Sequence, residues 1–482
     1  MTPSPVALTD LENLIRDHLG EYRFYSPQSW VSPATTATGQ QIKDVVVVGA
    51  GQSGLALAYN LKLLGIRRIE VVDSHDKDRA GPWSSFARMK TLRTPKNVPG
   101  PECANPLLSF RMWFSAKYSR GEYEAIEFVA LRDWRDYLSW FRRILDITPH
   151  ANTQIVSIQW SAADACLRLV AEDGTEFFAK RVCLATGITA PGRWTAPTEL
   201  VGGIPAGSYR YAWEDIPWEE FCDKDVAVIG AGASGFDNAA AALDAGCRSV
   251  SIFGRNPFPD RDLYFELWRG RDDAALFPDE AGSPPADLLD PLVAFNAHLE
   301  DEDRLAVLDA LFANGRSPAN AEYLSRVERL PDITVHEEMP VDRITHLGDS
   351  NRLAVRAKGE EFEFDKIVFA TGVQAGLVHR PELADLYGRI RTWGDAVGPR
   401  RELPLGLQSY PKLGSGFQFL PKNPADSNLS HIYSLADIVH TTVGLQSVAH
   451  VTPTVARHIG ISLWTAQHAE TVPAISVERG LT

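Results

Sequence analysis

Two short stretches carry the residues whose types and spacing can do chemistry. The first is Gly49-Ala50-Gly51-Gln52-Ser53-Gly54 and the second is Gly230-Ala231-Gly232-Ala233-Ser234-Gly235. Each fits the G-x-G-x-x-G turn that holds the diphosphate of a dinucleotide. The first glycine of each set (Gly49, Gly230) permits a tight turn. The second (Gly51, Gly232) lets backbone approach a pyrophosphate, and the third (Gly54, Gly235) lets a helix pack closely on the preceding strand. Ser53 and Ser234 fall where that helix begins, among the N–H groups offered to the diphosphate.

Residues further along separate the two nucleotides. Asp73, 24 residues after Gly49, ends the run "IEVVD". A carboxylate there accepts hydrogen bonds from both ribose hydroxyls and repels a 2′-phosphate. Arg255, 25 residues after Gly230, ends "VSIFGR". A guanidinium suits the 2′-phosphate of NADP through charge-assisted hydrogen bonds. The cofactors expected are FAD at the first turn and NADPH at the second.

The elements that must position these residues are legible around them. Val45–Val48 is a fully apolar run, as expected of a buried parallel strand. Leu55–Leu64 continues as an Ala/Leu-rich helix, and Ile69–Asp73 is the next strand. Further on, alternating strands and a turn lead to a strand ending Ala185-Thr186-Gly187. The same order recurs before Ala370-Thr371-Gly372. Thr186, Gly187, Thr371 and Gly372 therefore join the cofactor-side candidates. The fold class expected is α/β, with two Rossmann-like dinucleotide-binding domains, short β-meanders and a helical insertion. The division expected is an N-terminal extension (1–41), a first part of the FAD domain (42–200), an NADPH domain (201–345) and a second part of the FAD domain (346–482). In the extension, Thr9 and Glu12 match a capping box before Leu11, Leu14, Ile15 and Leu19, so a short helix is expected to cover a domain or, in a homo-oligomer, a partner copy. The acidic insertion, residues 270–325 within the NADPH domain, reads as a solvated helical face rather than a substrate lid.

Composition excludes several classes. The chain has 482 residues and a net charge of −14. No basic excess exists to neutralise phosphates, so no nucleic-acid partner is expected. No apolar run is long enough for a membrane span, and the first residues lack a secretory pattern, so a cytoplasmic location is expected. The five cysteines (Cys103, Cys166, Cys183, Cys222, Cys247) form no CxxC and no metal-like spacing. Free thiols and no metal site follow. A reduced flavin here is not discharged through a cysteine pair, which leaves another acceptor or O2. No GxSxG or HExxH supports hydrolysis.

The order of the motifs resembles a known family. "GAGQSGLA", "AGPWSSFARMKTLRTPK", "LATG", "GAGASG" and "FATG" follow one another as in the class B flavoprotein monooxygenases, across residues 42–460. That group includes flavin-containing, Baeyer–Villiger and N-hydroxylating monooxygenases. The resemblance implies that Trp83 lies beside the flavin. It makes Arg93, Lys96 and Asn97 the catalytic candidates, and Thr94 a further contact, for flavin, nicotinamide or oxygen. It also implies hydride transfer from NADPH to flavin N5, addition of O2 at C4a to give a (hydro)peroxyflavin, and oxygenation of a small-molecule substrate. In the segment "YRYAWEDIPW", Tyr211 stands where Baeyer–Villiger enzymes carry a fingerprint histidine, with Trp213 and Trp218 following. "DKIVFATGV", from Asp365 to Val373, approaches the signature of N-hydroxylases and flavin-containing monooxygenases, with Val373 in place of tyrosine. N-hydroxylation or heteroatom oxidation is the leading expectation. The alternatives are Baeyer–Villiger oxidation and, from another class, an NADPH-dependent flavoprotein reductase that oxygenates nothing. Near the C-terminus a helix beginning near Leu445 is expected to point its N-terminus at the flavin. Asp437 is the cofactor contact named there, with His440 and Thr441 nearby; a packed or solvent-facing loop is the reading for His440.

Overall fold

The computed structural model describes residues 7–76, 81–187, 192–257, 299–312, 324, 327, 329–348, 350–398, 403–436 and 445–469. The chain begins with α1 (Leu8–Glu21), which buries Leu11, Ile15 and Leu19 and leaves Leu14 exposed. The expected capping box does not form. The helix starts at Leu8, so Thr9 is already inside it, and no side chain caps Ala7. Glu12 instead accepts a hydrogen bond from Trp140 Nε1 at 3.0 Å. The extension therefore packs on its own domain.

The first sheet is organised by β1 (Gln41–Val48), followed by α2 (Gln52–Leu63) and β2 (Ile69–Val72). Val45, Val46 and Val47 are fully buried, because β1 is central in a sheet with both faces covered. An aromatic-rich helix, α3 (Leu131–Ile144), buries Trp134, Tyr137, Trp140 and Phe141 against the same core. Strands Ile155–Ser161 and Cys166–Ala171 then form an antiparallel meander with β3 (Glu176–Leu184). Beyond the meander, β3 turns its other end parallel to β1 and ends at the first Ala-Thr-Gly.

The second sheet contains β4 (Tyr209–Tyr211), β5 (Asp225–Ile229), β6 (Ser249–Phe253), β7 (Ile333–His336) and β8 (Lys366–Phe369). All are parallel, in the spatial order β4-β8-β5-β6-β7. Helix α4 (Ala233–Asp244) follows β5. A meander of Val341–Leu347, Arg352–Ala357 and Glu360–Phe364 packs Leu353, Val355 and Phe364 against Ala227, Ile229 and Phe253. This corrects the expected boundary. Position 345/346 falls inside a strand, and β8 pairs within the second sheet, so that domain runs on to Phe369.

The two chain crossings between domains pair with each other. Gly192–Trp194 lies antiparallel to Val373–Ala375. A third link comes from the acidic insertion. Of that segment, residues 270–298 and 313–323 lie outside the described residues, but α5 (Asp301–Phe312) is seen to dock on the first domain. Leu305 is buried with Trp393, Leu403, Leu407 and Tyr410, Arg304 lies over the Trp393 ring, and Asp301 pairs with Lys412. The helix thus has one packed face. The chain returns to the first sheet with β9 (Ile432–Ser434), parallel to β3. It then forms α6 (Leu445–His468), which buries Val455, Ala456, Ile459 and Leu463 in the core that contains α2. No described helix is long and apolar enough to cross a membrane.

Candidate functional site

Each glycine turn and its Ala-Thr-Gly partner form one packing unit. Gly49 has φ +110° and Gly230 has φ +116°, a backbone region that side chains disfavour. A β-carbon on Gly49 would sit 2.3 Å from the Ala185 carbonyl oxygen, and one on Gly230 would sit 2.4 Å from that of Ala370. The third glycines are closed off in the same way. A β-carbon on Gly54 would meet Gly49 O at 1.9 Å, and one on Gly235 would meet Gly230 O at 2.0 Å. Gly51 differs: its nearest neighbour on that side is Gly81 Cα at 3.7 Å, so space remains over the loop.

Both helices begin without a side-chain cap and without an acidic residue in the first turn. Their partial positive charge is therefore not offset there by a carboxylate, as a diphosphate site requires. At the first turn the buried Gln52 Oε1 also has no hydrogen-bond partner among the described residues. The uncapped helix end and the open face of Gly51 fit the diphosphate of FAD. Ser53 is half-buried at this helix end, and Ser234 is exposed at the other.

The strand ends distinguish the two turns more sharply than the sequence does. Gly49 N donates to Val72 O at 2.7 Å, and Gly230 N donates to Phe253 O at 2.9 Å. Val72 and Phe253 are thus equivalent, and the position matching Asp73 is Gly254, with Arg255 one residue beyond. Asp73 is 6% exposed. Its Oδ2 accepts from Ala50 N at 2.6 Å and its Oδ1 from His75 N at 2.8 Å. A carboxylate has about four acceptor positions, so capacity remains for ribose hydroxyls. In the second domain a β-carbon on Gly254 would sit 2.8 Å from Ala231 Cβ, and Arg255 is exposed. The acid is replaced by nothing, and a cation follows it.

The flavin-side candidates are distributed unevenly. Gly81, at φ +75°, lies against Gly51, and the Trp83 ring meets Trp134 edge-on at 6.4 Å. Trp134 is buried, and its Nε1 has no partner among the described residues. Arg93 lies on the strand Thr91–Pro95, but its side chain is outside the described residues. Lys96 Nζ donates to the carbonyls of Tyr123 and Glu124, at 2.9 and 3.0 Å, and to that of Ile126. These carbonyls close the short helix Arg120–Ala125, so the ammonium acts as its C-terminal cap. The structure thus gives Lys96, expected as a catalytic candidate, a structural task as well. Asn97 Oδ1 accepts from Tyr123 OH at 3.1 Å. Gly187 and Gly372 have φ of +73° and +81°, and Thr371 Oγ1 donates to Thr195 O at 3.3 Å. Asp437, His440 and Thr441 lie outside the described residues.

Two signature residues receive structural tasks. Asp365 Oδ2 accepts from Asp225 N at 2.8 Å and pairs with Arg248. This fastens β5 to β8 at the end opposite the glycine turn, so the carboxylate supports the sheet and says nothing about reaction type. Tyr211 ends β4 and stacks on Trp213, with centroids 5.8 Å apart and planes 16° apart. Cys222 and Cys247, the neighbouring cysteines of the second domain, also lie beyond the starts of β5 and β6, at the edge away from the glycine turns.

Arg88 was missed by the sequence reading. It donates to Ala212 O at 2.8 Å and to Glu214 O, both in the second domain. Those partners lie 124 and 126 residues away, so no local pattern marks them.

A family model described as pyridine nucleotide-disulphide oxidoreductase matches residues 43–263. An FAD-dependent urate hydroxylase of Xanthomonas campestris is 31% identical over 424 residues, 88% of this chain and 84% of the relative. The chain belongs to the class B flavoprotein monooxygenases. The monooxygenase is also 26% identical over 350 residues, 69% of its length, to 76% of the Arabidopsis thaliana protein named "Probable indole-3-pyruvate monooxygenase YUCCA1". Among solved structures it shares its fold with an ornithine N-hydroxylase of Kutzneria sp. 744, seen with reduced FAD, NADP+ and L-ornithine. That match has a TM-score of 0.60 at 15% identity and covers 87% of this chain and 99% of that one. The monooxygenase is an FAD-dependent oxidoreductase.

Proposed function

We propose that this monooxygenase uses NADPH at the second glycine turn to reduce FAD at the first, and hydroxylates a nitrogen-bearing small molecule of the planar heterocycle class. The observation that carries the reading is the match across 88% of the chain to an enzyme named for urate, a planar nitrogen heterocycle. The indole in the second relative's name points the same way. The aliphatic-amine hydroxylases share only the fold, at 15–16% identity, so their substrates weigh less.

The chain's own groups have these tasks. The uncapped start of α2 holds the FAD diphosphate, and Asp73 takes the ribose hydroxyls while fixing Ala50. Gly254 puts no carboxylate beside the 2′-phosphate of NADPH, and Arg255 pairs with it. Trp83 and Trp134 wall the flavin-facing segment with apolar surface and limit water there. Bound FAD supplies the redox chemistry, accepting a hydride and activating O2. Baeyer–Villiger oxidation would need a cation beside a nucleophilic oxygen anion, whereas electrophilic oxygen transfer to an electron-rich nitrogen or its ring would not.

The test is a panel of purines, indoles, amines and cyclic ketones, read by NADPH consumption and product mass. A heterocycle that gains one oxygen atom supports the proposal. Turnover of ketones to esters alone would replace it with the Baeyer–Villiger reading. Peroxide as the sole product would make the chain a reductase.

A further inference from the structure

The stretch from Gly81 to Lys90 touches both domains. It starts against the first glycine turn, where Gly81 lies over Gly51. Seven residues later Arg88 leaves the first domain. Its Nη1 donates to Ala212 O at 2.8 Å and to Phe86 O at 2.7 Å, and its Nη2 donates to Glu214 O. The guanidinium lies 5.5 Å from the centre of the Trp218 ring. Two residues on, Lys90 pairs with Asp244 at the end of α4 at 3.7 Å. Phe86 meets Trp194 of the crossing ribbon at 6.2 Å.

The partners of Arg88 define its role. Ala212 and Glu214 directly follow β4, and Ala212 N donates to Phe369 O, next to Ala370-Thr371-Gly372. They are backbone carbonyls at the edge of the second dinucleotide turn, with positions fixed by the sheet. Burial pulls the Arg88 pKa down to about 10, against the attraction of Asp215 and Asp237. A cation desolvated onto neutral carbonyls gains less than one on a carboxylate, but the planar fork fixes the direction of two donors at once.

We infer that Arg88 is a positioning residue that ties the flavin-facing segment to the nicotinamide-nucleotide domain and thereby sets the gap across which hydride passes. The inference rests on the reading that the second turn holds NADPH. Lys90 and the ribbon are secondary ties: the Lys90 pair is exposed and worth little.

The test compares wild type with Arg88→Ala and Arg88→Lys as FAD-loaded enzymes. Flavin reduction by saturating NADPH is followed anaerobically by stopped flow, alongside FAD content, NADP+ affinity and calorimetric unfolding. The limiting reduction rate of R88A is expected to fall by about a hundredfold, the scale of a misplacement of about 1 Å between reacting groups. FAD content and NADP+ affinity stay unchanged. Added guanidinium ion restores R88A, while R88K stays slow because one ammonium cannot reproduce the fork. The unfolding peak of wild type separates into two in both variants. An unchanged limiting rate would overturn the inference, as would a slow rate explained by lost FAD or a slow rate that guanidinium does not restore. If R88A does not fold, R88K at the wild-type rate would overturn it equally. A wild-type enzyme that NADPH does not reduce would overturn the coenzyme reading and the inference with it.

Discussion

Replacing Arg255 with alanine tests how the second turn selects its coenzyme. Asp73 and Gly254 are structurally equivalent, so the two turns differ by a carboxylate removed and a guanidinium added one residue later. Hydrogen bonds to charged groups contribute about 1.5–3 kcal/mol. Arg255 is exposed, so solvent screening places it at the low end, about 1.5 kcal/mol. At about 1.4 kcal/mol per factor of ten, kcat/KM for NADPH should fall about tenfold. NADH lacks the 2′-phosphate, so its kcat/KM should not change. The assay is steady-state coenzyme consumption with both coenzymes, at low and high salt. The NADPH loss should shrink as salt rises, because an exposed charge pair is screened. Arg255→Lys should recover part of the loss, since a point charge replaces a fork. Equal losses for NADPH and NADH, or no loss at all, would refute the assignment of the phosphate to Arg255.

The other expectations concern the site and the fold. Gly49→Ala forces a β-carbon against the Ala185 carbonyl at positive φ, with strain of about 1–3 kcal/mol, and should yield protein depleted of FAD. Gly230→Ala should keep its FAD and lose NADP+ binding, measured by absorbance and by calorimetric titration. Lys96→Met removes the cap of Arg120–Ala125 and should lower Tm, by about 1–3 kcal/mol of stability, while activity per bound FAD is retained. Stability should also fall in acid. Burial and the neighbouring Arg181 push His431 down to about 3, and the same causes lower His458. With an unfolded pKa near 6.5, the unfolded state binds more protons in this window. Stability is therefore full above about pH 6.5 and declines toward pH 3, by about 1.4 kcal/mol per unit for His431. His431→Gln should flatten that slope in denaturant titrations.

What was legible in the sequence was what is local. The glycine turns and the Ala-Thr-Gly strand ends read correctly because a strand, a tight turn and a helix start lie within a few residues. Their mutual packing, Ala185 on Gly49 and Ala370 on Gly230, also explains why the motifs occur in pairs. The domain boundary was not legible, because an apolar strand such as Lys366–Phe369 fits either sheet until its neighbours are known. Thr9 and Glu12 matched a capping pattern, but Glu12 found a stronger task with Trp140 across the fold. Lys96 drew a chemical reading from its neighbours in sequence, whereas its position is set by carbonyls 27–30 residues away. Arg88 had no signal at all, since both of its cross-domain partners are backbone atoms that any sequence would offer.

The central claim is that electrons from NADPH pass through FAD and leave one atom of O2 on a nitrogen heterocycle. It is tested most directly by turnover under 18O2 with NADPH and the best heterocycle of the panel, followed by product mass spectrometry. The account predicts one 18O atom in the product for each NADPH consumed. Product without 18O, or label recovered only in peroxide and water, would contradict it.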